Sequence, residues 1–298
     1  MNVRFTPLGR DEPIGVVALS GPVDTERLDA GLAELEGWGR PVVVAPNLSA
    51  RSGYLAGSDD ERLAGLDRVL EQGVRTIVAA RGGYGLTRLL PRLPWSRMVE
   101  AGVRLVGFSD VTALTGPLVD RGGVPQIHGP MVATGLDDPR SAARLRSLLE
   151  GELIGRTLFE FDGDEVVREG RSAGIAKGGN LSLICSLVGT PWQPDLTGAV
   201  VFLEDVGEPA YRLDRMLTHL GSSAMFRGVK ALISGSLCDC PDIGERSSEW
   251  RQLLLEAAPP GVPIVTGLDF GHRTPNLAFP LGTHVTVDTV AGRVDWNA

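Results

Sequence analysis

Apolar and polar positions alternate along the first half of the chain in a pattern that predicts strands and helices in turn. Continuous apolar runs of the kind that form buried strands lie at residues 14–19, 41–45, 76–80 and 104–108. Between these runs, residues 24–36 and 59–72 carry leucines at helical spacing. Continuous apolar strands that alternate with helices are typical of a parallel sheet covered on both faces.

The second half has a different pattern, which predicts a second domain. A helix is predicted at residues 137–150, and the polar stretch 158–171 is broken at 162–164 by a turn signal between two short strand-like runs. Strands are then predicted at residues 199–203, 229–234, 264–266 and 283–287, and helices at 181–188, 211–220 and 249–257. The predicted fold class is α/β with two domains: an N-terminal parallel-sheet α/β domain over 1–150, an inter-domain crossing over 151–172, and a C-terminal α/β domain with a β-rich part over 173–298.

The composition narrows the class of protein. The chain has 298 residues, of which 43% are hydrophobic and 22% charged, and this balance excludes intrinsic disorder. The net charge is −8 and no dense basic run exists, so a nucleic-acid partner is not expected. The apolar run 14–19 is far shorter than the ~18 residues that a membrane span needs. We therefore expect a soluble, cytoplasmic protein with no membrane partner.

The cysteines indicate neither disulfides nor a metal site. Only three are present, Cys185, Cys238 and Cys240, and none of them forms a Cys-x-x-Cys motif. An odd and sparse set of this kind suits a reducing compartment. We expect the protein to work without a metal or another cofactor.

A glycine-rich segment, Arg81-Gly82-Gly83-Tyr84-Gly85, follows the third predicted strand. Ligands of open α/β sheets bind beyond the carboxyl ends of the strands, and paired glycines bring backbone N–H groups close to a ligand. Such groups bind a phosphate or a developing oxyanion. The dinucleotide fingerprint is not met, because Arg88 stands where its third glycine belongs. A tight turn between a strand and a helix explains the glycines equally well.

Ser109 lies between the end of the fourth predicted strand and a helix predicted at 111–119. This is the position of a nucleophile elbow, although Val111 replaces the second glycine of the hydrolase pattern G-x-S-x-G. The alternative is structural, because serine is a favoured helix N-cap and Asp110 suits the first turn of a helix.

Acidic residues and a histidine follow two later strands. Glu204 comes directly after residues 199–203, with Glu208 close behind, and His272 follows 264–266. A serine hydroxyl needs an adjacent base, and the base needs a partner that fixes its tautomer. Ser109, Glu204 and His272 supply these three roles in chain order, while the distances between them stay open.

Several ordered motifs resemble the LD-carboxypeptidase family of serine peptidases, which also contains the microcin C self-immunity peptidases. The motifs are Ser20-Gly21-Pro22, Arg81-Gly82-Gly83-Tyr84-Gly85, Gly107-Phe108-Ser109-Asp110, Gly178-Gly179-Asn180-Leu181, Leu203-Glu204-Asp205, Arg212-Leu213-Asp214-Arg215, Gly271-His272 and Pro280-Leu281-Gly282. The resemblance implies Ser109 as nucleophile, His272 as base and Glu204 as orienting acid, with Glu208 as the rival acid. It also implies the backbone N–H groups of Gly83 and Asp110 as oxyanion donors, and an active site between the two domains.

The same resemblance implies a reaction. The family removes a C-terminal D-amino acid, and its usual substrate is the murein tetrapeptide that ends in D-Ala. Release through an acyl-enzyme would serve peptidoglycan recycling, with no metal and with the protein as a homodimer. Arg81, Tyr84 and Arg212 are the candidates for substrate binding, and either arginine suits the terminal carboxylate.

Three other functions are compatible with parts of the sequence. An immunity-type peptidase would use the same residues to cleave an aminoacyl or peptidyl nucleotide. A binding module of the same fold would lack the chemistry, although all three candidate catalytic residues are present. A Rossmann-type oxidoreductase is disfavoured by the missing third glycine.

Overall fold

The computed structural model describes residues 5–297, which form strands and helices throughout. The strands are β1 (Ile14–Val17), β2 (Val42–Val44), β3 (Thr76–Ala79), β4 (Arg104–Val106), β5 (Gln126–His128), β6 (Thr157–Glu160), β7 (Val166–Arg168), β8 (Arg171–Asn180), β9 (Ala199–Val206), β10 (Ala231–Cys238), β11 (Ile264–Val265), β12 (Phe279–Leu281), β13 (His284–Asp288) and β14 (Arg293–Trp296). The helices are α1 (Thr25–Gly37), α2 (Asp59–Glu71), α3 (Leu86–Leu89), α4 (Trp95–Glu100), α5 (Thr112–Asp120), α6 (Pro139–Leu149), α7 (Leu181–Leu187), α8 (Ala210–Ser222) and α9 (Ser248–Ala257).

These elements divide into two compact units. The first contains residues 5–152 and 275–280, and the second contains 153–274 and 281–297. Each unit has its own sheet, so the predicted α/β class is confirmed. Within residues 5–297, no helix has the combination of length and apolar character that crossing a bilayer requires.

The first unit has a six-stranded sheet in the order β12-β5-β4-β3-β1-β2. Strands β1 to β5 are parallel, with Ile14 of β1 in register with Val42 on one side and Thr76 on the other. The order β4-β3-β1 makes these three strands neighbours. Their carboxyl ends therefore lie side by side, and so do the loops that follow them.

Polar N-caps explain where helices α1 and α2 begin. Asp24 accepts a hydrogen bond from the backbone N–H of Arg27 at 3.0 Å at the start of α1. Ser58 and Glu61 form a reciprocal capping box at the start of α2. The spacing of the leucines is also local, and it predicted both helices to within one residue at each end.

The second unit has an eight-stranded mixed sheet in the order β6-β14-β13-β8-β9-β10-β11-β7. Strands β8 to β11 are parallel, and the strands outside them pair antiparallel. Helices α8 and α9 bury apolar side chains in the core beside β9 and β10, among them Leu213, Leu217 and Trp250. Phe202 and Phe270 pack edge to face with ring centroids 5.7 Å apart.

The structure differs from the predicted division of the chain in two segments. Residues 151–172, which we predicted as a crossing, contribute β6 and β7 to the two edges of the second sheet. Residues 275–280, predicted within the C-terminal domain, belong to the first unit, where the backbone N–H of Asn276 donates to Ser141 Oγ at 2.9 Å. The strand-like runs on either side of 162–164 are local signals, but the sheet that they join depends on pairing partners distant in the chain. The same is true of the return of residues 275–280 to the first unit.

Candidate active site

Three loops meet at the carboxyl edge of the first sheet. They follow β1, β3 and β4, and the backbone N–H of Gly21 in the first loop donates to the carbonyl of Gly82 in the second at 3.1 Å. Gly83 and Gly85 have φ values of +115° and +132°, a region that side chains rarely adopt. The glycine-rich segment is therefore a loop whose path depends on its glycines.

Ser109 has a backbone conformation that a helix cap does not use. Its φ is +60°, and it is the first residue of a short 3-10 turn that runs into α5. A serine N-cap has extended backbone and accepts from a backbone N–H of its helix. A non-glycine residue in the left-handed region is strained, and such strain is concentrated at functional sites. The conformation favours the nucleophile elbow over the capping alternative.

Gly82 leaves room for the Ser109 side chain. A Cβ atom added at Gly82 would lie 2.8 Å from Ser109 Cβ and 2.9 Å from Ser109 Oγ. Both distances are shorter than van der Waals contact allows, so any side chain at residue 82 would displace either the loop or the serine. Ser109 therefore packs directly over the backbone of the glycine loop.

If Ser109 is the nucleophile that the resemblance implies, Gly82→Ala is expected to lower kcat about 100-fold, because a displacement of a nucleophile by about 1 Å costs this much. Gly37→Ala is the matched control, since a Cβ added at Gly37 meets no atom within 4 Å. Steady-state kinetics and the Tm of both variants check the prediction. Unchanged kcat in a folded Gly82→Ala protein would show that Ser109 does not need its observed position.

In the second unit, His272 is hydrogen-bonded to Glu204. The distance between His272 Nδ1 and Glu204 Oε2 is 2.6 Å, and the Glu204 side chain is fully buried while that of His272 is 18% exposed. Glu204 lies within β9, because this strand extends past its predicted end at residue 203. A carboxylate at Nδ1 favours the tautomer with the proton on that nitrogen, which leaves Nε2 as the basic atom.

The loop after β11 crosses β10 to bring His272 to β9. The backbone N–H of Leu268 donates to the Ser234 carbonyl at 3.2 Å, and the N–H of Ser236 donates to the Phe270 carbonyl at 3.0 Å. Gly271 then has a φ of +97°, and a Cβ there would lie 2.8 Å from the Glu204 carboxylate. The histidine and the acid are thus positioned by backbone contacts between three adjacent strands.

Electrostatics favour the protonated form of His272. Burial is the largest single influence on the His272 pKa and lowers it, but the hydrogen bond and charge of Glu204, with the charge of Asp205, outweigh burial. The net effect raises the His272 pKa above its usual value of 6.5. Protonated His272 is therefore stabilised, as a general base requires at the moment it accepts a proton.

Asp205 is a buried residue of this region to which the sequence analysis gave no role. Its carboxylate accepts from Asn180 Nδ2 at 3.1 Å and from the Ser182 hydroxyl at 2.7 Å. Burial, followed by the charge of Glu204, raises the Asp205 pKa to about 6. These bonds tie the start of α7 to β9. The Gly178-Gly179-Asn180-Leu181 motif was the available signal, because Asn180 both caps α7 and binds Asp205.

Of the remaining candidates, Glu208 is half-buried, and Arg81, Tyr84 and Arg212 are exposed. Glu208 pairs with Arg212 at 3.4 Å, so Glu204 is the acid of the two that contacts His272. Arg81 donates to the Pro22 carbonyl at 2.9 Å. Tyr84 is 49% exposed, and its ring centroid lies 5.8 Å from that of Tyr54.

The surroundings of Cys185 and His128 indicate structural roles for both residues. Burial raises the pKa of the Cys185 thiol to about 12, which disfavours a reactive thiolate. His128 is buried and stacks on Phe279 with ring centroids 5.0 Å apart. Across residues 5–297, no cluster of three or more histidine, cysteine, aspartate or glutamate side chains has the arrangement of a metal site.

The candidate residues form two sets, one in each unit. Ser109, Gly83 and Asp110 lie together at the carboxyl edge of the first sheet, and Glu204 and His272 lie together in the second. A strained serine after a parallel strand, a glycine loop beside it and a histidine bound to a buried acid are features of serine hydrolases.

Comparison with known proteins identifies the family. Residues 14–129 match the LD-carboxypeptidase N-terminal domain, and residues 173–287 match the LD-carboxypeptidase C-terminal domain. A putative carboxypeptidase of Streptomyces coelicolor is 38% identical over 97% of this chain and 94% of its own length. The murein tetrapeptide carboxypeptidase of Pseudomonas aeruginosa is 35% identical over 96% and 95% of the two chains. The chain belongs to the LD-carboxypeptidase family, and it is a serine peptidase.

Solved structures show the same fold. The muramoyltetrapeptide carboxypeptidase of Oxalobacter formigenes superposes with a TM-score of 0.80 at 27% identity, over 96% of this chain and 99% of that one. The microcin C7 self-immunity protein MccF superposes with a TM-score of 0.87 at 22% identity, over 100% and 98% of the two chains. The second likeness concerns the fold alone.

Proposed function

We propose that this protein is a serine carboxypeptidase that releases the C-terminal D-Ala of murein tetrapeptide through an acyl-enzyme. The observation that carries the proposal is the 2.6 Å hydrogen bond between His272 Nδ1 and the fully buried Glu204 carboxylate. A pair of this geometry makes Nε2 a base for a serine hydroxyl. Ser109, in its strained turn after β4, is the serine that the proposal assigns.

The proposed reaction proceeds in two acyl transfers. Ser109 Oγ attacks the carbonyl carbon of the last peptide bond while His272 Nε2 takes the hydroxyl proton. The backbone N–H groups of Gly83 and Asp110 donate to the oxyanion. The C–N bond then breaks, and His272 returns the proton to the amine of D-Ala. Water attacks the acyl-enzyme by the same route and releases the tripeptide acid.

The substrate assignment rests on the relatives. The Pseudomonas aeruginosa relative is a murein tetrapeptide carboxypeptidase, and it shares 35% of its residues with this chain over almost the full length of both. The family resemblance adds the stereochemistry, a terminal D-amino acid joined to an L-centre. Cytoplasmic recycling of peptidoglycan and a homodimeric state are further parts of the proposal, supported by the family resemblance alone, and sedimentation velocity tests the dimer.

Mass spectrometry of a synthetic tetrapeptide tests the function. L-Ala-γ-D-Glu-meso-diaminopimelate-D-Ala is incubated with the protein, and the same peptide ending in L-Ala serves as the stereochemical control. We expect release of D-Ala only, with no loss of L-Ala. Cleavage of both peptides would contradict the D-specific assignment, and cleavage of neither by a folded protein would contradict the murein substrate.

An aminoacyl or peptidyl nucleotide is the second substrate class to assay. MccF shares the fold of this chain and has been solved with aspartyl sulfamoyl adenosine. If the tetrapeptide stays intact and a peptidyl adenylate analogue with a hydrolysable amide is cleaved, the immunity-type function replaces the murein one. If neither is cleaved and Ser109 does not react with a fluorophosphonate, the chain is a binding module.

Of the two candidate arginines, Arg81 is the one we assign to the substrate carboxylate. Arg212 already pairs with the Glu208 carboxylate, whereas the Pro22 carbonyl that Arg81 contacts is neutral and leaves the guanidinium charge uncompensated. Arg81→Met is expected to raise KM about 10- to 100-fold, the effect of losing a charge-assisted hydrogen bond. Arg212→Met is the control and should change KM less than about twofold. The reverse pattern would transfer the role to Arg212.

A further inference from the structure

Asp110 has a buried carboxylate behind the loops of the first sheet. Its side chain has no solvent exposure, and its Oδ2 accepts from Ser20 Oγ at 2.6 Å and from the backbone N–H of Leu86 at 2.9 Å. Ser20 lies in the loop after β1, and Leu86 directly follows the glycine loop. Through its Oδ2 atom, Asp110, the residue after Ser109, therefore binds both the loop after β1 and the loop after β3.

Arg62 of α2 contacts the same two loops from a second buried position. Its guanidinium has no solvent exposure and donates to the carbonyls of Leu19 and Gly85, the latter at 2.9 Å. It also pairs with Asp59 at 2.6 Å. A Cβ added at Gly85 would lie 2.7 Å from Arg62 Nη1, so the glycine permits this contact.

The two buried charges bind consecutive residues of each loop. Arg62 binds the carbonyls of residues 19 and 85, and Asp110 binds the hydroxyl of residue 20 and the N–H of residue 86. Burying groups of this kind is costly, so they are weak evidence for stability. Their advantage over apolar packing is that directional hydrogen bonds fix one arrangement of the groups they join.

We infer that Arg62, Asp110 and Ser20 are positioning residues, which together hold the glycine loop in the geometry that acyl transfer at Ser109 requires. This inference rests on the proposed function. These three side chains, which we call the frame, act through the backbone of the glycine loop. That backbone presents the Gly83 N–H to the oxyanion. The Asp110 side chain thus has a role separate from that of its own backbone N–H.

The variants Ser20→Ala and Asp110→Asn test the frame, because each removes part of it while keeping the volume of the side chain nearly constant. Both are expected to lower kcat for D-Ala release about 10- to 100-fold and to leave KM within about twofold. Ser247→Ala is the matched control, since Ser247 caps α9 in the second unit and its loss lowers Tm without touching the frame.

Two further measurements separate positioning from stability. Amide hydrogen exchange of residues 82–86 should become faster in Ser20→Ala than in Ser247→Ala, and fluorophosphonate labelling of Ser109 should slow in parallel with kcat. The inference is overturned if exchange in the loop is unchanged, or if kcat falls no further than in a control of equal Tm. If the wild-type protein leaves the tetrapeptide intact, the proposed function is wrong. Amide exchange of residues 82–86 then still tests whether the three side chains position the glycine loop.

Discussion

Ser109→Ala is expected to lower kcat for D-Ala release by about four to six orders of magnitude. Removing the nucleophile of a serine peptidase eliminates the acyl-enzyme route, and only binding and oxyanion stabilisation remain. KM should change little, because Oγ is a small part of the surface that binds the peptide. Rates at substrate saturation, measured by D-Ala release, check the magnitude.

Folding of the variant is not expected to suffer. Serine and alanine are equally strained at a φ of +60°, and no side-chain hydrogen bond caps the 3-10 turn that begins at Ser109. Ser186→Ala is the matched control, since Ser186 is an exposed serine of α7. Wild type should gain the mass of one phosphonate on incubation with a fluorophosphonate, and Ser109→Ala should gain none. Residual activity above about 1% would remove Ser109 from the proposed role.

The hydrophobic pattern predicted the elements whose signals are local. Strands β1 and β3 lie in apolar runs, and both the pattern and the structure place them in a parallel sheet. The apolar residues 199–203 predicted β9, which continues through Glu204 and Asp205 to Val206. Strand β8 was missed because its sequence, RSAGIAKGGN, contains three glycines and little apolar surface. It is a strand because β9 and β13 pair with it on both sides. Pairing between distant segments is not encoded in either segment alone.

The candidate site also depends on contacts between distant segments, which the sequence pattern does not show. The sequence supplied Ser109, Glu204 and His272 as residue types after strands, but left Ser109 open as a helix cap and Glu208 open as an acid. A φ of +60° at Ser109 and the hydrogen bond between Glu204 and His272, which are 68 residues apart, depend on tertiary structure. The side-chain bonds of Asp110 to Ser20 and Leu86 also join segments separated by 90 and 24 residues. Spacing could not indicate these contacts, since Asp110 equally suits a first helical turn.

Glu204→Gln is expected to lower kcat by about 10³- to 10⁴-fold, because the amide can donate to His272 Nδ1 and so favour the tautomer with the proton on Nε2. In that tautomer Nε2 no longer accepts the Ser109 proton. The charge that stabilises protonated His272 is also lost. Glu208→Gln is the matched control: it removes the other acid of this segment, which pairs with Arg212. Its kcat should remain within about twofold of wild type.

The pH dependence of the residual activity provides an independent check on the pairing of Glu204 with His272. Neutral His272 is the active form, so kcat/KM falls as pH decreases through the His272 pKa. In wild type this pKa is raised above 6.5, because the hydrogen bond and charge of Glu204, with Asp205, outweigh burial. In Glu204→Gln, burial is opposed only by Asp205, so the pKa falls and the acid limb moves to lower pH. Glu208→Gln should leave the limb unchanged. If the acid limb shifts in Glu208→Gln and not in Glu204→Gln, the acid role belongs to Glu208. The reason is that a charge which stabilises protonated His272 must affect the titration of that histidine.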